Sequence, residues 1–360
     1  MLQAFFHVWE RHLASISKDR VVRPFDWGLE WLPSNGHGGH RPGAAPADVI
    51  GEWVAEVMAD TDRFFTPPPT NDYRLSDANV LTFPSALDTP HRENNTAVCR
   101  YFPARLQPRA TGGSRSSVAR RFSGANRAAV LVLPQWNADR EGHVGLCKLL
   151  AWNGMSALRL SLPYHDERMP PELTRADYIV SSNVARTVQV CRQAVLDARR
   201  AIAWLAREGY DRIGILGTSL GSCLSLLTTA HEPLIRAEAL NHVSPYFADV
   251  VWRGISTRHV RAGFDGNIDL DLLRALWTPI SPRWYLERIR DRRTLLVYAR
   301  YDLTFPVDLS EGLIREFRER RIPHEVVALP CGHYSTGKAP FKFVDGWVLT
   351  RFLKRALEIG

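Results

Sequence analysis

"RIGILGTSLGSCLSLLTTA", residues 212–230, is the stretch whose reading decides the fold. An apolar run ends in Gly-Thr-Ser-Leu-Gly and passes at once into small residues at helical spacing. Ser219 is then either an ordinary turn serine or a nucleophile held up on a sharp bend. The pentapeptide arises by chance too often to decide this alone, so its context has to.

Working outward, residues 79–87 and 96–104 read as two strands, and "DTPHRENN" between them supplies turn chemistry. Six short, continuous apolar runs follow, at 128–134, 156–163, 212–217, 237–244, 294–300 and 324–330. Runs without alternation suit strands covered on both faces of a parallel sheet. Helical patterns fall between them at 141–153, 177–209, 219–232 and 307–321, and a last helix is expected over 344–359. Gly209 stands where the long helix should end. The alternation predicts an α/β fold with a doubly wound, mostly parallel eight-stranded sheet flanked by helices. Residues 246–290 are too many for a simple crossover and read as a helical cap insertion. Residues 1–78 read as an N-terminal extension of helix and loop ahead of a main domain over 79–360. Its helices are expected over 1–17 and 47–65. The first should pack on the body of the protein through a side carrying Phe5, Val8, Trp9 and Leu13. There is no internal repeat.

Composition removes several classes of function. The 360 residues are 45% hydrophobic and 23% charged, as in ordinary globular proteins. No run reaches the ~18–20 apolar residues of a membrane span. The N-terminus has no secretory pattern, and no membrane partner is expected. The net charge of +8 comes from a general use of arginine, since only five of the 46 basic residues are lysines. The densest basic stretch, 109–127, is Gly/Ser-rich without interleaved aromatics, so no nucleic-acid partner is expected. His37 and His40 have metal-like spacing but no acidic or thiol companions, and read as loop residues. Five scattered cysteines without a C-x-x-C suggest reduced thiols and a cytoplasmic setting.

Against that background Ser219 reads as a nucleophile. It lies between a buried strand and a helix, and the strained turn demands small neighbours, here Gly217 and Gly221. The N–H of Leu220 then points to where an oxyanion would develop. A serine hydroxyl needs a base, and the base needs a carboxylate to hold its tautomer. Asp302 lies just past the seventh apolar run, in "YDLTFP". His333 lies just past the eighth, in "GHYSTG". In a parallel sheet both loops emerge at the edge that carries Ser219.

These three motifs make residues 79–360 resemble the α/β-hydrolase superfamily, and the tail is similar to its serine-esterase and dienelactone-hydrolase branches. The resemblance implies Ser219 as nucleophile, His333 as general base and acid, Asp302 as orienting carboxylate and Leu220 N–H as oxyanion donor. Many relatives have His-Gly after the third strand, where the second donor arises. Here the stretch is "LPQWNADREGH", which assigns the role to the backbone of Trp136 or Gln135. After the fourth strand "LPYHDERMPP" replaces the common Asp-x-Arg-Gly-x-Gly. That brings His165, Asp166 and Arg168 to the same edge, as substrate contacts or as a salt-bridged anchor.

Other candidates read more plainly. His143 and His231 are expected as helix-associated surface or packing residues, whereas His242 and Tyr246 could line the cleft. Asp249 is a minor competitor for the acid, and Cys331 a minor alternative nucleophile. Trp252, Trp277 and Trp284 are expected mainly in the core of the cap. The expectation is a serine hydrolase acting through an acyl-enzyme on a small-molecule acyl substrate, a carboxylic ester first. No metal or organic cofactor is implied. Amide or peptide cleavage, transfer to another acceptor, and a non-catalytic binding module on the same fold stay open.

Overall fold

The computed structural model describes residues 2–17, 19–33, 43–104 and 127–359. Most of the basic stretch at 109–127, and His37 and His40, lie outside the described residues. In chain order the strands are β1 (Arg74–Leu75), β2 (Val80–Pro84), β3 (Thr96–Phe102), β4 (Ala128–Leu133), β5 (Met155–Leu160), β6 (Arg212–Thr218), β7 (Ile235–Asn241), β8 (Arg293–Ala299) and β9 (His324–Leu329). The eight expected strands are present, and a two-residue edge strand adds a ninth. That edge, β1, falls inside the stretch expected as extension, where its two exposed residues leave no hydrophobic signature.

The sheet order is β1-β2-β3-β5-β4-β6-β7-β8-β9. β1, β2 and β3 pair antiparallel, and β3 joins β5 antiparallel. From β5 to β9 every pairing is parallel. β4 therefore has β5 on one side and β6 on the other, which makes its carboxyl end the topological switch point, where open α/β sheets bind ligands. Pairing of Leu133 with Gly217, Thr218 with Asn241 and Ala299 with Leu329 brings the strand ends to one rim.

The helices are α1 (Leu2–Ser15), α2 (Pro46–Ala59), α3 (Thr61–Phe65), α4 (Val144–Trp152), α5 (Val184–Arg207), α6 (Leu220–His231), α7 (Phe247–Arg253), α8 (Arg258–Phe264), α9 (Leu270–Leu276), α10 (Val307–Glu319), α11 (His333–Thr336) and α12 (Phe341–Ala356). Side chains alternate across the sheet. Leu131 joins a core under α5, α6 and the β7–β8 insertion, while Val130 and Val132 join one under α4 and α12. Ile50, Trp53, Phe64 and Phe65 belong to the first core and Phe6 to the second, so segments ahead of residue 78 contribute to both.

Local chemistry explains where expected helices shift. α5 begins at Val184 and not at 177, because the Asn183 side chain caps it by accepting the Arg186 N–H at 2.9 Å. Residues 19–33, an N-terminal strap after α1, hold the residue before α5, where Asp26 bridges to Asn183. The helix expected over 47–65 is broken by Asp60, which caps α3 through the Arg63 N–H. No helix of the described residues is long and apolar enough to cross a membrane.

Candidate active site

β6 delivers Ser219 at the mouth of α6 with φ 57° and ψ −119°. An L-residue pays for that left-handed φ, and it persists only where the surroundings enforce it. Close packing does the enforcing: a Cβ on Gly217 would fall on the Gly221 carbonyl, and one on Gly221 on the Leu133 carbonyl. The Ser219 N–H is anchored on the Asn241 carbonyl at 2.8 Å. The Leu220 N–H donates to no protein acceptor among the described residues, as expected for the first turn of a helix.

Asp302 and His333 arrive from the β8 and β9 loops and meet, Nδ1 to Oδ2, at 3.0 Å. The other carboxylate oxygen accepts the N–H groups of Thr304 and Phe305, both at 2.7 Å. His242, one residue past β7, is buried with its Nδ1 3.1 Å from the same Oδ2, and its ring centroid lies 4.6 Å from that of His333. Burial alone would raise the Asp302 carboxyl, but the two imidazoles outweigh it and hold it well below the ordinary value. Burial works against a charged His333 too, yet the carboxylates of Asp302 and then Glu10 hold its pKa above the usual 6.5. His242 goes the other way, pulled down by burial. Ligand atoms of His242, Asp302 and His333 lie within 4.8 Å of one another, close enough to share a cation. The Asp302 oxygens, however, already face two N–H groups and two imidazoles.

Ser219 and His333 open on one cavity of about 1380 Å³, which also takes in Gln135, Trp136, Thr218, Asn241 and His242. Gln135 and Trp136 follow β4 at the switch point. Neither backbone N–H donates to a protein acceptor among the described residues. A second, mainly apolar recess of about 50 Å³ adjoins Ser219, walled by Leu220, Tyr246, Phe247, Val251 and Phe305. The β7–β8 insertion supplies Tyr246, Phe247 and Val251, so it forms a wall of the site.

Other sequence candidates end up elsewhere. His165 is buried, with its Nε2 accepting the Asn137 N–H and its Nδ1 on the Pro163 carbonyl, both at 2.9 Å. It therefore faces backbone and not substrate: it fixes the loop that carries Trp136. Asp166 is held by Arg159 at 3.0 Å, and Arg168 by Asp197 at 2.8 Å with neither side chain exposed, which is the anchor arrangement. Asp249 is taken by Arg274 through both oxygens. Burial pushes the Cys331 thiol up to about 12, far from a thiolate. All five cysteines are free and buried. His231 packs between Phe65 and Tyr285. Trp277 is fully buried in the insertion core and Trp252 stacks on Phe264, but Trp284 stands 55% exposed, outside that core.

Two residues at the site carried too little sequence signal. His143, expected as a surface or packing residue, lines the cavity and bonds Thr218 Oγ1 at 2.9 Å, beside the serine. Glu10, from α1, is wholly buried against the His333 loop. The pattern "NHVSPYF" after a strand marks His242, whereas nothing local marks Glu10.

The switch point, the strained serine between strand and helix, and the parallel sheet define an α/β-hydrolase fold. Solved structures share it. Pyrococcus horikoshii acylaminoacyl peptidase superposes with a TM-score of 0.57 at 14% identity, over 81% of this chain and 43% of that one. The acetyl xylan esterase from Paenibacillus sp. R4 gives 0.57 at 14% identity, over 91% and 98%. Acetyl xylan esterase 1 from Thermoanaerobacterium sp. JW/SL YS485 gives 0.51 at 12%, over 95% and 98%. The chain spans under half the length of the peptidase, and at these identities the likeness shows the fold. No family model matches the sequence, and no curated protein matches it.

Proposed function

We propose that the protein is a serine hydrolase that cleaves carboxylic esters with a short acyl group. The carrying observation is that His333, paired with Asp302 at 3.0 Å, lines the same cavity as the strained Ser219. Asp302 occupies Nδ1 of His333, which leaves Nε2 to take the serine proton. The tetrahedral oxyanion sits between the N–H of Leu220 and that of Gln135 or Trp136, both free of protein acceptors among the described residues. An acyl-enzyme forms as the alcohol leaves with the proton from His333, and the same imidazole then activates water. His165 contributes indirectly by fixing the Trp136 loop.

The small recess beside Ser219, about 50 Å³, supports an acyl group of only a few heavy atoms. The larger cavity takes the rest of the ester. The two acetyl xylan esterases that share the fold are consistent with a small acyl group. A fluorophosphonate probe should label the wild type at Ser219 and leave Ser219→Ala unlabelled. p-Nitrophenyl acetate should turn over faster than the octanoate and faster than aminoacyl anilides. An unlabelled wild type overturns the hydrolase reading, and a preference for anilides or long chains overturns the ester and acyl assignments.

A further inference from the structure

The N-terminal helix reaches into the site by one side chain. Glu10 on α1 is wholly buried, 324 and 325 residues before the two residues that donate to it. Its Oε2 accepts the Tyr334 N–H at 2.9 Å, and its Oε1 accepts the Ser335 N–H at 2.9 Å and the Ser335 hydroxyl at 2.7 Å. Those donors belong to α11, the single turn that opens with His333. Gly332 leaves room for this contact, because a Cβ there would overlap the Glu10 carboxyl. Phe6, one helical turn earlier, stacks on Tyr301 at 4.7 Å beside Asp302, so α1 grips both loops that carry the pair. Arg20, further along the strap, donates to the Tyr334 hydroxyl at 3.0 Å.

We propose that Glu10 is a positioning residue for the general base: its carboxylate fixes the His333 turn and adds a second negative charge behind the imidazole. The role rests on the hydrolase reading, but its electrostatic part does not need catalysis to be seen. The charged and titratable groups around His333 and Glu10 are Asp302 and His242 from the β8 and β7 loops and Cys331 and Tyr334 beside His333, with Asp345 of α12 acting on Cys331 and with Arg20 of the strap and Arg175 of the β5–α5 loop acting on Tyr334. Asp302 and Glu10 itself favour the imidazolium of His333. A buried carboxylate accepting three hydrogen bonds would also serve as a plain anchor for α1. The two roles separate by charge.

Glu10→Gln keeps the shape and removes the charge. The test follows the His333 imidazole by NMR titration together with the pH dependence of kcat/KM for a short ester. In Glu10→Gln both midpoints should move to lower pH. kcat should fall roughly 10- to 100-fold as the turn loosens, with KM little changed. Glu10→Asp should keep the wild-type midpoint but recover only part of kcat. A folded Glu10→Gln with wild-type midpoints overturns the proposal, whether or not its melting temperature falls, because an anchor alone predicts that result. If Glu10→Gln does not fold, Ser335→Ala decides: it removes the shortest of the three bonds, and kcat should fall severalfold, so an unchanged kcat overturns the proposal. A wild type that the fluorophosphonate fails to label, whose His333 midpoint still drops in Glu10→Gln, would sink the hydrolase reading and leave the placement of Glu10 standing.

Discussion

Two places at the same rim each bring a histidine and an aspartate together, one within the loop after β5 and one across the loops after β8 and β9, and they do opposite things. After β5, Asp166 is held by Arg159 at 3.0 Å and by the Ser161 hydroxyl at 2.8 Å, while His165 has both ring nitrogens in bonds to backbone. After β8 and β9, Asp302 faces His333 at 3.0 Å and His242 at 3.1 Å. A guanidinium stays charged at any working pH and closes its partner off, whereas an imidazole bound at one nitrogen keeps the other for a proton. The pKa values divide accordingly. Burial draws His165 down to about 4, whereas at His333 the Asp302 and Glu10 carboxylates together outweigh burial and hold it above 6.5. The same residue types thus give a brace in the β5 loop and, across the β8 and β9 loops, the pair to which the proposed function assigns proton transfer.

The sharpest way to break this contrast is at the nucleophile. Ser219→Ala should lower kcat by about 10⁶-fold and abolish fluorophosphonate labelling. A retained rate would move the chemistry away from this rim. Asp302→Asn should fold and yet lose about 10⁴-fold in kcat, since the imidazole tautomer is no longer held. Asp166→Asn is the matched change in the bracing loop, and its cost should appear in stability, at about 3 kcal/mol, because Arg159 is left buried without its partner. Urea unfolding measures that loss, and kcat of the folded variant should stay within a few-fold of wild type. Catalytic loss as large as in Asp302→Asn would erase the distinction between the loops.

The pH dependence gives the smallest and most graded test. Esterase activity needs neutral His333, so the rate should rise with pH through a midpoint above 6.5. His165 should stay neutral until about pH 4 in an NMR titration. The linked stabilities have opposite signs. His165, lowered on folding, contributes stability above 6.5 that is lost as pH falls through about 4. His333, raised on folding, contributes stability below 6.5 that is lost as pH rises through its folded midpoint. A His333 midpoint below 6.5 would contradict the Asp302 geometry.

Much of this was legible in the chain. The eight strands, the helices between them and the Ser219 turn are local matters of apolar period, caps and small neighbours, and they appear near where the residues say, apart from the late start of α5. Asp302 and His333 were legible because a parallel sheet sends every strand end to one rim. Tyr246 could be expected at the cleft for the same reason. His165 misled by that logic, since rim position does not reveal that both its nitrogens meet backbone. Trp284 misled because aromatic character does not say which face of an insertion points outward. β1 was too short to show any period.

The sequence by itself determined the order of elements, the bend at Ser219 and the set of residues brought to the rim, because these follow from interactions over a few residues and from one rule of sheet topology. Only the tertiary structure decided which of those residues face each other: the second imidazole on Asp302, the guanidinium on Asp166, the Glu10 carboxylate under the His333 turn. Such partners are chosen by packing between segments up to 325 residues apart, where burial makes a paired charge stable and an unpaired one costly. No local pattern in the chain encodes that choice.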